Sequence, residues 1–204
     1  IKVGVIASIF STFIALMAAK AFTKYKVKLR QLSYGAILLP FVIPEIIIAV
    51  SLIVLWTGMG LQLGLVPVTI SHILFCTPFC MLVLISRMEG FDKNLEEAAM
   101  DLGENAWGTF WRVTFPLALP AIVASLLLSF VISFDEFILA FFLSSHDQTL
   151  PLYMWGQLRF PKKLPHVLAL GAVIILATSI IVMLSYWLRN FGNPSDKKNN
   201  IGGI

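Results

Sequence analysis

Five apolar stretches, at about residues 1–22, 36–57, 66–86, 119–143 and 167–188, constrain this chain more than any other feature. Each is long enough to cross a hydrocarbon core, which takes about 20 apolar residues as a helix. In lipid every backbone polar group must be bonded within the protein, so such stretches predict helices. The expected fold is an all-α polytopic membrane protein with five transmembrane helices. Composition agrees: with 13% charged and 58% hydrophobic residues and a mean hydropathy of +0.88, the chain falls far short of the roughly 25% charge usual for a soluble domain. No internal repeat or low-complexity segment stands out. One transmembrane domain over 1–190 is expected, followed by a disordered tail over 191–204.

The net charge of +4 does not point to nucleic acid, because the cations lie between spans, where they act as topology determinants. Lys20, Lys24, Lys26, Lys28 and Arg30 follow the first span with no acid among them. That loop is expected in the cytoplasm. Counting alternately, the segment 87–118 and the C-terminus are also inside, and this side holds eleven of the fifteen Lys and Arg residues. Arg159, Lys162 and Lys163 fall outside without overturning the excess. Five spans leave the N-terminus outside, and the chain opens inside a span with no basic region before it. A further helix ahead of this segment is therefore expected rather than a signal peptide.

The inner segment is unusual for a lipid-embedded chain. In "NLEEAAMDLG", Asn94 with Glu97 three residues on predicts a capped helix start, and Gly103 a helix end. Asn105 predicts the cap of a second short helix that gathers Trp107, Phe110 and Trp111 on one side, with Pro116 and Pro120 as breaks before the next span. Ala98 and Ala99 leave the first helix without bulk, so another protein's groove can approach closely, while Glu96, Glu97, Asp101 and Glu104 keep it solvated. An interfacial helix lying on an anionic leaflet would carry cations instead.

Glu97-Ala98-Ala99, Gly103 and Val113-Thr114-Phe115-Pro116 resemble the cytoplasmic loop of permease subunits of binding-protein-dependent ABC importers. Val113 and Phe115 stand where that family commonly has Ile and Leu. The resemblance implies a type I importer permease fold in which the loop 87–118 carries a coupling helix seated in a separate ATP-binding subunit. It implies that Glu97, Ala98, Ala99, Asp101, Leu102, Gly103 and Pro116 serve that contact. It also implies two ATP-binding subunits, a second permease subunit of different sequence, a periplasmic or extracellular substrate-binding protein and a bacterial inner membrane.

Three carboxylates stand in the spans, where a charge costs about 2.5–3.5 kcal/mol on insertion scales and is by default a functional residue. Glu45 follows Pro44, which cannot donate to the Pro40 carbonyl, so the helix is expected to bend there and leave acceptors free. Asp135 and Glu136 sit in the outer part of the fourth span. No basic residue occupies these regions. Acids and free carbonyls favour a cation, and aromatic residues such as Trp56, Phe134, Phe137, Tyr153 and Trp155 can add cation–π contacts along its path. "LLPFVIPEIIIAVSLIVL" and "SFVISFDEFILAFF" are similar to the spermidine/putrescine permease subfamily, which implies a polyamine cargo. The expected substrate path is Glu45, Asp135, Glu136, Trp56 and Phe134.

No catalytic motif is present, so ATP hydrolysis is expected in a partner subunit. No cofactor or metal is called for. Cys76 and Cys80 lie on one helix face as packing residues, His72 reads as a satisfied buried polar group, and His146 and His166 lie outside. Two alternatives stand: an ABC permease for another cationic or amino-acid-like solute, and an ion-coupled secondary transporter. The latter explains the acids and leaves the Glu-Ala-Ala loop unexplained. The orientation is testable by cysteine labelling at position 28 in intact cells. A membrane-impermeant reagent added outside is expected to fail there, and ready labelling would invert the topology.

Overall fold

The computed structural model describes residues 1–24 and 30–190, all as helices and connecting loops. Lys26, Lys28 and the tail 191–204 lie outside the described residues. Among the described residues, four helical stretches are long and apolar enough to cross a membrane: α1 (Lys2–Lys24), α4 (Leu65–Met88), the stretch Ala106–Asp135, and Pro161–Leu188 within the last helical segment. A fifth is reached only when the bent pair α2 (Arg30–Val42) and α3 (Glu45–Gly58), which meet at 101°, is counted as one broken span.

The stretch expected to span at 36–57 is thus not one continuous helix. The halves of the pair have 13 and 14 residues, so each reaches only about 20 Å at 1.5 Å per residue, against a core of about 30 Å. Pro44 takes an extended conformation, with φ −53° and ψ 132°, and caps the start of α3. The missing N–H produces a full break rather than a bend.

The expected span over 119–143 is also divided. After Asn105, helix α6 (Ala106–Thr109) passes through a π-helical turn, Phe110–Thr114, into α7 (Phe115–Asp135). Pro116 and Pro120 therefore do not interrupt the entry to this span, contrary to expectation. Pro116 lies in the first turn of α7, where a missing N–H is tolerated, and the Phe115 N–H bonds to the Phe110 carbonyl in the wider register. The break comes at the other end, where Glu136 is extended (ψ 123°) before α8 (Ile138–Leu143). Outside the spans lie α5 (Lys93–Asp101) and α9 (Leu150–Gln157), and α10 (Leu164–Asn190) closes the described chain.

α1, α4 and α7 form the packed centre. Lipid is as apolar as any side chain, so helices in it are held by close packing and hydrogen bonds instead of by exclusion of water. Many of the facing residues are accordingly small: Ala7, Ser11, Ala15 and Ala19 on α1, Cys76 and Cys80 on α4, and Ala121, Ser125 and Ser129 on α7 are all fully buried, beside larger ones such as Met81 and Leu84. Cys80 Sγ lies 3.7 Å from both Ser11 Oγ and Thr12 Oγ1 and donates to the Ser125 carbonyl, and Cys76 donates to that of Ser129. The cysteines are thus packing residues with polar contacts. Ser185 on α10 donates to the Ala124 carbonyl at 2.8 Å and ties the last helix to α7.

His72 is only half satisfied, contrary to expectation. Its Nδ1 is 2.7 Å from Ser133 Oγ, while the buried Nε2 has no partner among the described residues. A larger residue in the three-helix seam should be costly. Ser11→Leu is expected to destabilise the bundle by about 1–3 kcal/mol through overpacking, read as a lowered melting temperature of the purified protein. An unchanged melting temperature would show that the seam is not closely packed.

Candidate functional site

The segment between α4 and α7 is built by caps. α5 begins after Asp92, whose carboxylate accepts the Asn94 N–H at 3.0 Å, and this replaces Asn94 and Glu97 as the expected capping pair. The cap therefore lies two residues nearer the N-terminus than the sequence pattern suggests. At the other end Gly103 has φ +93°, its N–H donates to the Met100 carbonyl at 2.9 Å, and the Glu104 N–H donates to that of Ala99 at 3.1 Å. This is a Schellman ending, which asks for the left-handed backbone that glycine adopts freely. Asn105 then caps α6 as expected, accepting the Gly108 N–H at 2.8 Å.

The resulting helix stands clear of the bundle. None of its described side chains is buried. Glu97, Ala98 and Asp101 are exposed, Ala99 is half-buried, and Leu102 just beyond is 88% exposed. Leu95 and Met100 are also open, and Trp107 is 70% exposed beside Trp111, with ring centroids 5.7 Å apart. An acidic helix edged with open apolar groups has the character of a protein contact. Pro116 is exposed in the first turn of α7, away from α5 in sequence, and shapes that helix entry.

Glu96, which the sequence pattern presents only as a solvating charge, is a junction. Its carboxylate pairs with Lys24 Nζ at 2.7 Å and accepts the Thr114 hydroxyl hydrogen. Burial alone would push the carboxyl up, but the Lys24 ammonium and the Thr114 hydroxyl outweigh it and hold it below the ordinary carboxylate value. The contact thus contributes stability above that value and loses it only as pH falls through the lowered one. No sequence spacing could have joined residues 24, 96 and 114.

A second site lies where helices break. Glu45 is the first residue of α3, Asp135 the last of α7, and Glu136 the link to α8. All three line one open cleft of about 540 Å³, together with Phe75, Phe79, Ile132, Phe137 and Ile138. Glu136 is buried and accepts the Leu139 N–H at 3.0 Å, Glu45 is half-buried, and Asp135 is exposed. No cation lines this cleft among the described residues. Phe75 and Phe79 were not foreseen, because nothing in their spacing separates a cleft wall from a packed face.

The other two expected path residues lie elsewhere. Phe134 stacks on Phe130 and borders a neighbouring, largely apolar cavity of about 620 Å³, which shares Asp135 with the acidic cleft. Trp56 donates to the Gln62 carbonyl at 3.0 Å and closes the turn after α3. It stands eleven residues from Glu45, about 16 Å along the helix. Trp155 contacts the rings of Phe137 and Phe141 beside the apolar cavity, while Tyr153 is exposed.

Comparison with known proteins gives a consistent result. Residues 11–195 match the family described as binding-protein-dependent transport system inner membrane component. The chain is 31% identical over 202 residues to the spermidine/putrescine transport system permease protein PotC of Escherichia coli, covering 97% of this chain and 76% of that protein. The Haemophilus influenzae protein of the same description is 31% identical over 194 residues, 95% of this chain and 75% of the relative. The putrescine transport system permease protein PotI of Escherichia coli is 31% identical over 156 residues, 73% of this chain and 55% of that one.

The geometry at Gly103 makes a direct test of the short helix. Gly103→Val forces a β-branched residue to φ +93°, at a cost of about 1–3 kcal/mol for a strained backbone. Transport is expected to fall with the bundle still folded, as measured by uptake in vesicles beside a melting curve. A variant that transports at the normal rate would show that this turn does not matter to function.

Proposed function

The chain belongs to the binding-protein-dependent transport system inner membrane component family, and from that premise we propose that it carries a polyamine across the membrane by way of the acidic cleft. As a member it is a multi-pass permease subunit of an ABC importer, which sets aside the ion-coupled carrier. The cleft supports the finer reading. A flexible polycation needs successive sites attractive enough to replace water and weak enough to release it. Glu45, Asp135 and Glu136 offer carboxylates at differing exposure around one opening, with the Phe75, Phe79 and Phe137 rings beside them. The relatives' descriptions as spermidine/putrescine and putrescine permeases support the same class of cargo.

The breaks at Ile43–Pro44 and at Glu136 serve this role, because a carboxylate at a helix end lies beside backbone groups that the helix itself leaves unbonded. Trp56 and Phe134 lie outside the cleft, so in this reading neither contacts the cargo there: Phe134 borders the adjoining apolar cavity and Trp56 holds the turn after α3. The working complex comprises this subunit, a second and different permease, two ATP-binding subunits seated at Glu97–Gly103, and a substrate-binding protein, in a bacterial inner membrane. Glu97, Ala98, Ala99, Asp101, Leu102 and Gly103 form the docking face, and Pro116 sets the entry of α7 behind it.

The single observation that carries the proposal is the convergence of three carboxylates on one cleft with no lining cation among the described residues. Glu45→Gln combined with Asp135→Asn keeps size while removing charge. Uptake of radiolabelled spermidine by assembled complexes should fall about tenfold or more, since a hydrogen bond to a charged group contributes about 1.5–3 kcal/mol. Unchanged uptake in the double variant, with assembly intact, would return these acids to a structural role.

A further inference from the structure

A docking helix is useful only if its displacement reaches the spans, and α5 has little with which to transmit one. It buries no described side chain, and it packs against α6 and the π-helical turn rather than into a groove between spans. One of its residues reaches two spans at once. Glu96 pairs with Lys24 Nζ at 2.7 Å, and Lys24 is the last residue of α1. The same carboxylate accepts from Thr114, the last residue of the π-turn that runs directly into α7.

The surroundings make this a stiff contact. The side chains of Glu96 and Lys24 are each only 25% exposed, and Thr114 is buried. Partial burial limits the solvent screening that leaves exposed ion pairs nearly worthless. A second contact joins the same elements one turn further in, where Lys20 Nζ lies 3.9 Å from the centroid of the Phe110 ring. A third, between Arg112 and Glu104, ties the π-turn to the loop that follows Gly103. α1 and α7 also pack on each other directly. The π-turn itself is a register change, a feature that often marks functional positions in helices.

We propose that Glu96 is a positioning residue that locks the docking helix to the ends of α1 and α7, so that these two spans move with it as one unit. α7 has 21 residues, about 30 Å of helix, and its far end carries Asp135 in the acidic cleft. A displacement of α5 is thereby delivered to the cleft along one continuous helix. This inference rests on the reading of α5 as the helix that seats in the ATP-binding subunit.

The test uses the whole complex in proteoliposomes, with the ratio of substrate taken up to ATP hydrolysed as the readout. Glu96→Gln keeps an acceptor for Thr114 and removes the charge, Lys24→Gln removes the other half of the pair, and Lys24→Glu with Glu96→Lys reverses it. Each single variant is expected to co-purify with the ATPase at wild-type yield while uptake per ATP falls about fivefold or more, the lower range for coupling between sites. The reversed pair should recover a large part of that loss. Wild-type uptake per ATP in Glu96→Gln would overturn the inference, as would a reversed pair no better than the single variants, or failure of Glu96→Gln to assemble. Ala98→Arg, run in parallel, reports on docking alone: it should abolish co-purification, and normal assembly in that variant would refute the docking reading whatever the Glu96 variants do.

Discussion

Helices in lipid gain nothing from hiding apolar surface, because the solvent around them is equally apolar, so the bundle depends on how closely its backbones approach. In this protein the approach is made along one seam, where Ala7, Ser11, Ala15 and Ala19 of α1 meet Cys76 and Cys80 of α4 and Ser125 and Ser129 of α7. The seam is polar as well as small. Its thiols and hydroxyls bond across to carbonyls and to one another, and His72 and Ser133 continue it outward. Both candidate regions adjoin these helices: Phe75 and Phe79 of α4 and Asp135 of α7 line the acidic cleft, and α5 lies in the connection between α4 and α7.

At one end the helices break at carboxylates. A straight apolar span has no room for Glu45 or Glu136 without the insertion penalty of an unpaired charge. Placing the acids at the first residue of α3 and after the last residue of α7 lets them lie against freed backbone groups, and Glu136 uses this by capping α8 through the Leu139 N–H. Helix interruption and acid placement are thus one structural solution. The same interruption opens the cleft that the three acids share.

In the α4–α7 connection, α5 is organised by polar caps and not by burial. Asp92, the Gly103 ending and Asn105 satisfy the helix ends, which leaves the exposed face free for a partner. A helix fixed this way would swing about its ends if nothing else held it. The contact of Glu96 with Lys24 and Thr114 supplies that restraint, and the long unbroken run from Asn105 through the π-turn to Asp135 links it to the opposite end of the bundle.

Much of this is legible in the order of the residues. Apolar runs of about 20 residues must be helices in lipid, whatever their neighbours, so the class of fold follows from residues 1–188 alone. The short helix α5 is legible because caps are local: Gly103 and Asn105 act within a few residues of themselves, although the same logic favours Asn94 where Asp92 caps. The interruption at Pro44 follows from the donor that proline lacks, but its angle does not, and Pro116 misleads because the wider π-turn just before it lets the helix run on past the missing donor. What only the tertiary structure decided were meetings of residues far apart in sequence: Glu45 with Asp135 and Glu136 around one cleft, and Lys24 with Glu96 and Thr114 at one joint. Local pattern records which residues a helix can hold and where it ends. It carries no record of which helix will stand beside it, because in a bilayer that choice is made by the shape and hydrogen bonding of whole faces.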